Sequence, residues 1–201
     1  MGGKSMKIKT LVFLLIALIF LSGCSQLTSN TSSTVATDVK EHSVIDETAH
    51  YKIIYSNSTY SYYIYDKNHN VVKAEELLNK KPELTMVNEN IVKFTMQAGT
   101  GIGTQWGYFY DAANDVFSPI YYSIYAQTND KVAYGGVNKV IVSDIFDKEN
   151  YYCEITEFKE PLSKTVQPIF GAEFIDEGNK LKVSYLSGDS YVEADEVFDL
   201  E

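Results

Sequence analysis

The sequence predicts an all-β domain, and three features point to it. All 16 tyrosines lie from Tyr51 onward, and aromatic and β-branched side chains of this kind suit a pleated, half-buried surface. In segment after segment, apolar and polar residues alternate with a period of two, the pattern of antiparallel strands with one face packed and one face wet. Short clusters of Asn, Asp and Gly separate these segments and supply the turn chemistry that hairpins need.

Taken in order, the chain opens with Lys4, Lys7 and Lys9 and then an uninterrupted apolar run from Leu11 to Leu21. Spanning a bilayer takes about 20 apolar residues, so the run is too short to cross. It is apolar all round, whereas a core helix would be amphipathic. Charge, length and order together match a secretory leader over residues 1–23. The opening Met1-Gly2-Gly3-Lys4-Ser5-Met6 is not a myristoylation signal, because its sixth residue is neither Ser nor Thr. Met6 offers a second possible start.

Residues 24–48 follow as a segment rich in Ser, Thr and Asn, beginning Ser25-Gln26-Leu27-Thr28-Ser29-Asn30 after Cys24. Such a stretch buries too little apolar surface to offset its ordering entropy, and it is expected to be a flexible tether. Residues 49–201 then make a single domain.

Within that domain Val92, Phe94 and Met96 alternate with Lys93, Thr95 and Gln97. Trp106, Tyr108 and Tyr110 form a second stripe, Val140 and Val142 a third, and Leu181, Val183 and Tyr185 a fourth. Turns are expected at Asn68-His69-Asn70, Asn88-Glu89-Asn90, Asn129-Asp130, Lys148-Glu149-Asn150, Gly178-Asn179 and Ser187-Gly188-Asp189. One short helix is predicted near 74–80: Glu75 and Glu76 sit at its start, and Lys80-Lys81-Pro82 at its end, which complements the helix dipole and stops at proline. An aromatic-Asp pair recurs at Tyr65-Asp66, Tyr110-Asp111 and Phe146-Asp147, each with an asparagine close behind. This degenerate repeat favours an antiparallel meander of hairpin units in a small propeller-like arrangement. A β-sandwich is the alternative, since any series of short hairpins echoes itself.

The apolar run ends at Leu21-Ser22-Gly23-Cys24. Small residues followed by cysteine at the end of such a leader resemble the lipobox of bacterial lipoproteins. The resemblance implies removal of residues 1–23, lipidation of Cys24, and a cell-membrane anchor with the chain facing the extracytoplasmic side. The part after the tether also resembles small β-rich domains of Gram-positive lipoproteins, a likeness that carries no residue roles.

The full chain has a formal charge of −10, and all 17 of its basic residues are lysines. With Lys4, Lys7 and Lys9 removed in the leader, which contains no acid, the charge falls to −13. Without a basic footprint and without arginine, the usual bidentate reader of phosphate and guanine, nucleic acid is excluded as a partner. The acidic balance also disfavours adsorption on anionic lipid, leaving the acyl chains as the membrane contact. If Cys24 is lipidated, Cys153 is the only other cysteine and has no partner. Its place in Tyr151-Tyr152-Cys153-Glu154-Ile155 suits a small, buried apolar strand residue. A nucleophile would need a cationic neighbour, and His42, His50 and His69 lie in the tether and a turn.

Gly99-Thr100-Gly101-Ile102-Gly103-Thr104 lacks the last glycine of a dinucleotide fingerprint, and a strand rather than a helix follows it. It is expected to be a glycine-rich connection between strands. Because it leads into the only tryptophan, Gly101, Gly103, Trp106 and Tyr108 form the candidate ligand-binding platform. Asp66-Lys67-Asn68-His69-Asn70 mimics the start of a calcium loop, but Val71 stands where glycine is required and Leu77 where a bidentate glutamate is required. A hairpin turn accounts for it. No metal, cofactor or catalytic constellation is predicted. The expected function is therefore a non-enzymatic binding or interaction module on a lipid anchor, its ligand an envelope protein or a cell-wall glycan. The alternatives are an envelope hydrolase with a site assembled from distant strands, motivated by the many carboxylates, and a structural subunit of an envelope complex.

Overall fold

Hairpin after hairpin folds as the alternation predicts, and each sheet is completed by consecutive strands before the next begins. A computed structural model describes residues 43–99 and 105–200. The chain divides into Met1–Asp38 and Val39–Glu201, and every described residue belongs to the second unit. Cys24, Gly101 and Gly103 lie outside the described residues.

The first sheet holds β1 (Ser43–Glu47), β2 (Tyr51–Ser56), β3 (Thr59–Tyr65) and β4 (Val71–Leu78), in that order. The second holds β5 (Glu83–Met86), β6 (Ile91–Gln97), β7 (Gln105–Asp111) and β8 (Val116–Phe117), with β9 (Tyr121–Tyr122) also pairing β7. The third holds β10 (Ile124–Gln127), β11 (Lys131–Gly136), β12 (Lys139–Asp144) and β13 (Tyr152–Ile155). The fourth holds β14 (Ile169–Ile175), β15 (Lys180–Ser187) and β16 (Val192–Asp199). All pairings are antiparallel. The domain is all-β. Among the described residues no helix is long and apolar enough to cross a membrane.

Three cores lie between successive sheets. The first gathers Tyr51, Ile53, Tyr62 and Ile64 of the first sheet against Val92, Phe94, Tyr108 and Tyr110 of the second. The stripes read from the sequence thus converge on one surface, where Phe94 and Tyr108 stack at 4.8 Å between ring centroids and 17° between planes. Because side chains alternate across a strand, Phe109 turns the other way, into a core with Tyr121, Val132, Tyr134 and Ile145. Ala133, Val140, Val142, Leu181, Val183 and Tyr185 form the third core, between the third and fourth sheets. The second and third sheets are therefore covered on both faces, as in consecutive sandwiches. None of the three cores contains residues of both the first and fourth sheets.

The predicted helix near 74–80 is instead β4. Lys73, Ala74 and Glu75 pair with Ile64, Tyr63 and Tyr62 of β3, and the register slips between Glu75 and Leu78. A seven-residue helix falls below the length at which isolated helices persist. The β3 edge offers ladder bonds, and Val72 and Leu78 pack on the first core. The slip is a bulge at Leu77, which sits at φ +59° with its side chain exposed. A second correction is at the tether, which ends sooner than residue 48: Ser43–Glu47 is β1, paired along β2 and tied by the 2.9 Å bond from the Tyr51 hydroxyl to Asp46.

The aromatic-Asp repeat is a repeat of turns. Asp66 Oδ1 accepts the backbone N–H groups of Asn68 and Asn70, both at 2.8 Å, and Asn70 Nδ2 donates to Asp66 Oδ2 at 2.9 Å. Asp111 does the same with Ala113 and Asn114, closed by Asn114 Nδ2 at 2.7 Å. Asp147 accepts from Glu149 at 2.9 Å. These turns join the third and fourth strands of the first three sheets. The bonds from Asn70 and Asn68 hold the Asp66 carboxyl below its usual pKa.

Candidate functional site

The glycine-rich segment is bracketed by Gln97, the end of β6, and Gln105, the start of β7, which are register partners. From this rung a groove runs along one end of the second, third and fourth sheets. Its first cleft, about 380 Å³, is lined by Gln97, Gln105, Ser123, Tyr125, Gln167 and Phe170, with Ile124 and Gly171. Ser123, Tyr125 and Gln167 also line a second cleft of about 410 Å³, which continues over Gly135, Gly136, Val137, Asn138 and Val166. Both volumes fall in the range of small-ligand sites, roughly 300–1,000 Å³.

Each wall has a local cause. Ser123 donates its N–H to Gln105 O at 2.8 Å, and its own carbonyl accepts Gly135 N–H at 2.9 Å, which pins the entry to β10 between the second and third sheets. Gly135 permits this approach: a Cβ there would lie 2.8 Å from Ser123 Cβ and 3.0 Å from the Tyr125 hydroxyl. The β11–β12 hairpin turns through Val137 and Asn138, the latter at φ +55°, a conformation asparagine tolerates. Tyr125 ties the fourth sheet in. Its hydroxyl donates to Ile169 O at 3.2 Å and accepts from Gln167 Nε2 at 3.2 Å. Burial raises its pKa, so it stays a neutral donor and acceptor.

No described residue lining either cleft carries a formal charge, in a chain that is 22% charged with a net −10. Charge comes near at the Gln97 end, where Lys80 Nζ donates to Gln97 O at 3.4 Å and the first cleft meets a hollow of about 60 Å³ that includes Lys81 and Glu83. The amides and hydroxyls of the two clefts can hydrogen-bond a ligand without carrying charge themselves.

Trp106 and Tyr108 sit on the opposite face of β7. Trp106 packs against the first core, 5.2 Å from the Phe94 ring. Tyr108 is only 2% exposed, and its hydroxyl lies 3.0 Å from that of Tyr62. Tyr108 is a core residue rather than a ligand contact, since alternation carries the Trp106–Tyr110 stripe onto Phe94. Lys73 Nζ lies 4.1 Å from the centre of its ring. The groove residues were missed by sequence reasoning, although Gln97 and Gln105 flank the segment that drew attention. The available signal was parity: if Trp106 is core-facing, Gln105 faces the other way.

Cys153, on β13 opposite Val142, is partly buried against the third core. It lines a surface cleft of about 290 Å³ with Glu154, Glu157 and Asp199. A comparison with known protein families finds no match, and neither does a comparison with curated protein sequences.

Proposed function

We propose that the chain is a lipoprotein, held at the extracytoplasmic face of the cell membrane through lipid on Cys24, whose β-domain is a non-enzymatic binding module. The groove described above is its binding face. The observation that carries the binding reading is the uncharged lining of two contiguous clefts on an acidic chain. An interior of amides and hydroxyls, presented by strand ends from three sheets, suits recognition by hydrogen bonding. The anchor rests on the leader and lipobox residues of the sequence.

Two measurements test the two halves. Cys24→Ser should abolish labelling by radioactive palmitate and release the protein or leave it unprocessed; persistent labelling would overturn the anchor. For the module, envelopes stripped of membrane lipid, so that the Cys24 anchor has no bilayer to enter, should retain the full chain saturably, and Gln105→Lys with Gln167→Lys, which places two charges in the groove, should cut that retention at least tenfold. Unchanged retention would overturn the groove as the binding face.

A further inference from the structure

The groove's chemistry narrows what it can hold. This step rests on the groove being the binding face. Every polar side chain in it, from Gln97 to Gln167, is an amide or a hydroxyl that both donates and accepts. A carbohydrate hydroxyl also does both, so such pairs match without ionisation on either side. The apolar part of the lining is equally specific. Phe170, 42% exposed, offers an aromatic face beside these amides, of the kind that the C–H face of a sugar ring covers, while Val137 and Val166 rise at the other end, 90% and 107% exposed.

Charge and backbone exclude the competitors. An anionic polymer meets a chain of net −10 and, among the described residues, no cation lining either cleft. Peptides are usually captured by adding a strand to an open sheet edge. Here the two edge strands at the groove, β10 and β14, contribute only their first residues, the β14 edge is broken by a bulge between Ile169 and Gly171, and the carbonyl of Ile169 is already taken by Tyr125.

We infer that the groove binds an uncharged, hydroxyl-rich chain, a neutral oligosaccharide, with the Gln105 and Gln167 amides on its hydroxyls and Phe170 against a sugar face. Tyr125 is a positioning residue: its bond to Gln167 Nε2 fixes that amide and leaves the second amide hydrogen and the carbonyl for the ligand. The two clefts in line, joined at Ser123, Tyr125 and Gln167, accommodate more than one sugar unit.

The test is calorimetric titration of the full chain in detergent with neutral pentasaccharides (cello-, malto- and N-acetylchito-oligomers), an anionic galacturonate pentamer, and an uncharged alanine-glutamine decapeptide. At least one neutral oligomer should bind saturably. Gln167→Ala should weaken it about three- to tenfold, the worth of one hydrogen bond, and Phe170→Ala by a similar factor. Val197→Ala, exposed on β16 of the fourth sheet, should change nothing. Near-UV circular dichroism identical to wild type shows that the groove variants remain folded. Failure of every neutral oligomer, or equal binding of the galacturonate, overturns the inference. Peptide binding lost in Gln167→Ala overturns the oligosaccharide while leaving the groove as the binding face. Envelope retention insensitive to the groove charges rejects both.

Discussion

Raising the pH from 8 to 11 should remove about 4 kcal/mol of stability through three buried tyrosines. Tyr62 and Tyr108 pair hydroxyl to hydroxyl at 3.0 Å between the first and second sheets, and Tyr121 donates to Ile145 O at 2.6 Å. All three are at most 2% exposed. Burial pushes Tyr121 up to about 12, and burial likewise drives Tyr62 and Tyr108 upward. The unfolded hydroxyls ionise near pH 10. A group with a raised folded pKa stabilises fully below its unfolded pKa and loses that contribution as the pH climbs toward the folded value. At pH 11, one unit above the unfolded value, the three together have lost about 4 kcal/mol, against a total of about 5–15 kcal/mol for an ordinary domain. The assay is urea unfolding at pH 8 and pH 11, followed by far-ultraviolet circular dichroism. The double variant Tyr62→Phe, Tyr108→Phe removes both hydroxyls of the pair and leaves neither without its partner, so it should lie within about 1 kcal/mol of wild type at pH 8. Between pH 8 and pH 11 it should lose about 3 kcal/mol less than wild type. Equal losses in the two proteins would refute the reasoning.

Phe94→Ala should cost about 3–5 kcal/mol in the same urea assay, because Phe94 is fully buried and its ring touches Tyr62, Trp106 and Tyr108; a loss below 1 kcal/mol would contradict the first core. Leu77→Gly should raise stability by about 0.5–1 kcal/mol, since relief of the left-handed backbone outweighs glycine's added chain entropy. Leu77→Val should lower it, because a β-branched residue tolerates the φ of +59° poorly.

The strands were legible because alternation is a local property. Val92, Phe94 and Met96, and Trp106, Tyr108 and Tyr110, pack on the face their spacing predicts, and the Asp66 and Asp111 turns bond as Asx residues do. The helix at 74–80 failed for a non-local reason. Glu75, Glu76 and the lysines satisfy helix end rules, but the open edge of β3 and the packing of Val72 and Leu78 outweigh them. Turning from stripes to site, Trp106 drew attention as the sole tryptophan, although the parity that makes its stripe apolar also turns it inward. The groove depends on Ser123, Tyr125 and Gln167 meeting across three sheets, and no local pattern marks a meeting of Gln167 with residues 42 or more positions before it.

The binding face is tested most directly by a photo-crosslinking amino acid placed at Val166 in the groove and, separately, at Val197 on the fourth sheet, both exposed. In intact cells, irradiation should yield a ligand adduct from position 166 and none from position 197. Adducts from 197 alone, from both positions equally, or from neither would contradict the groove as the place where this domain binds.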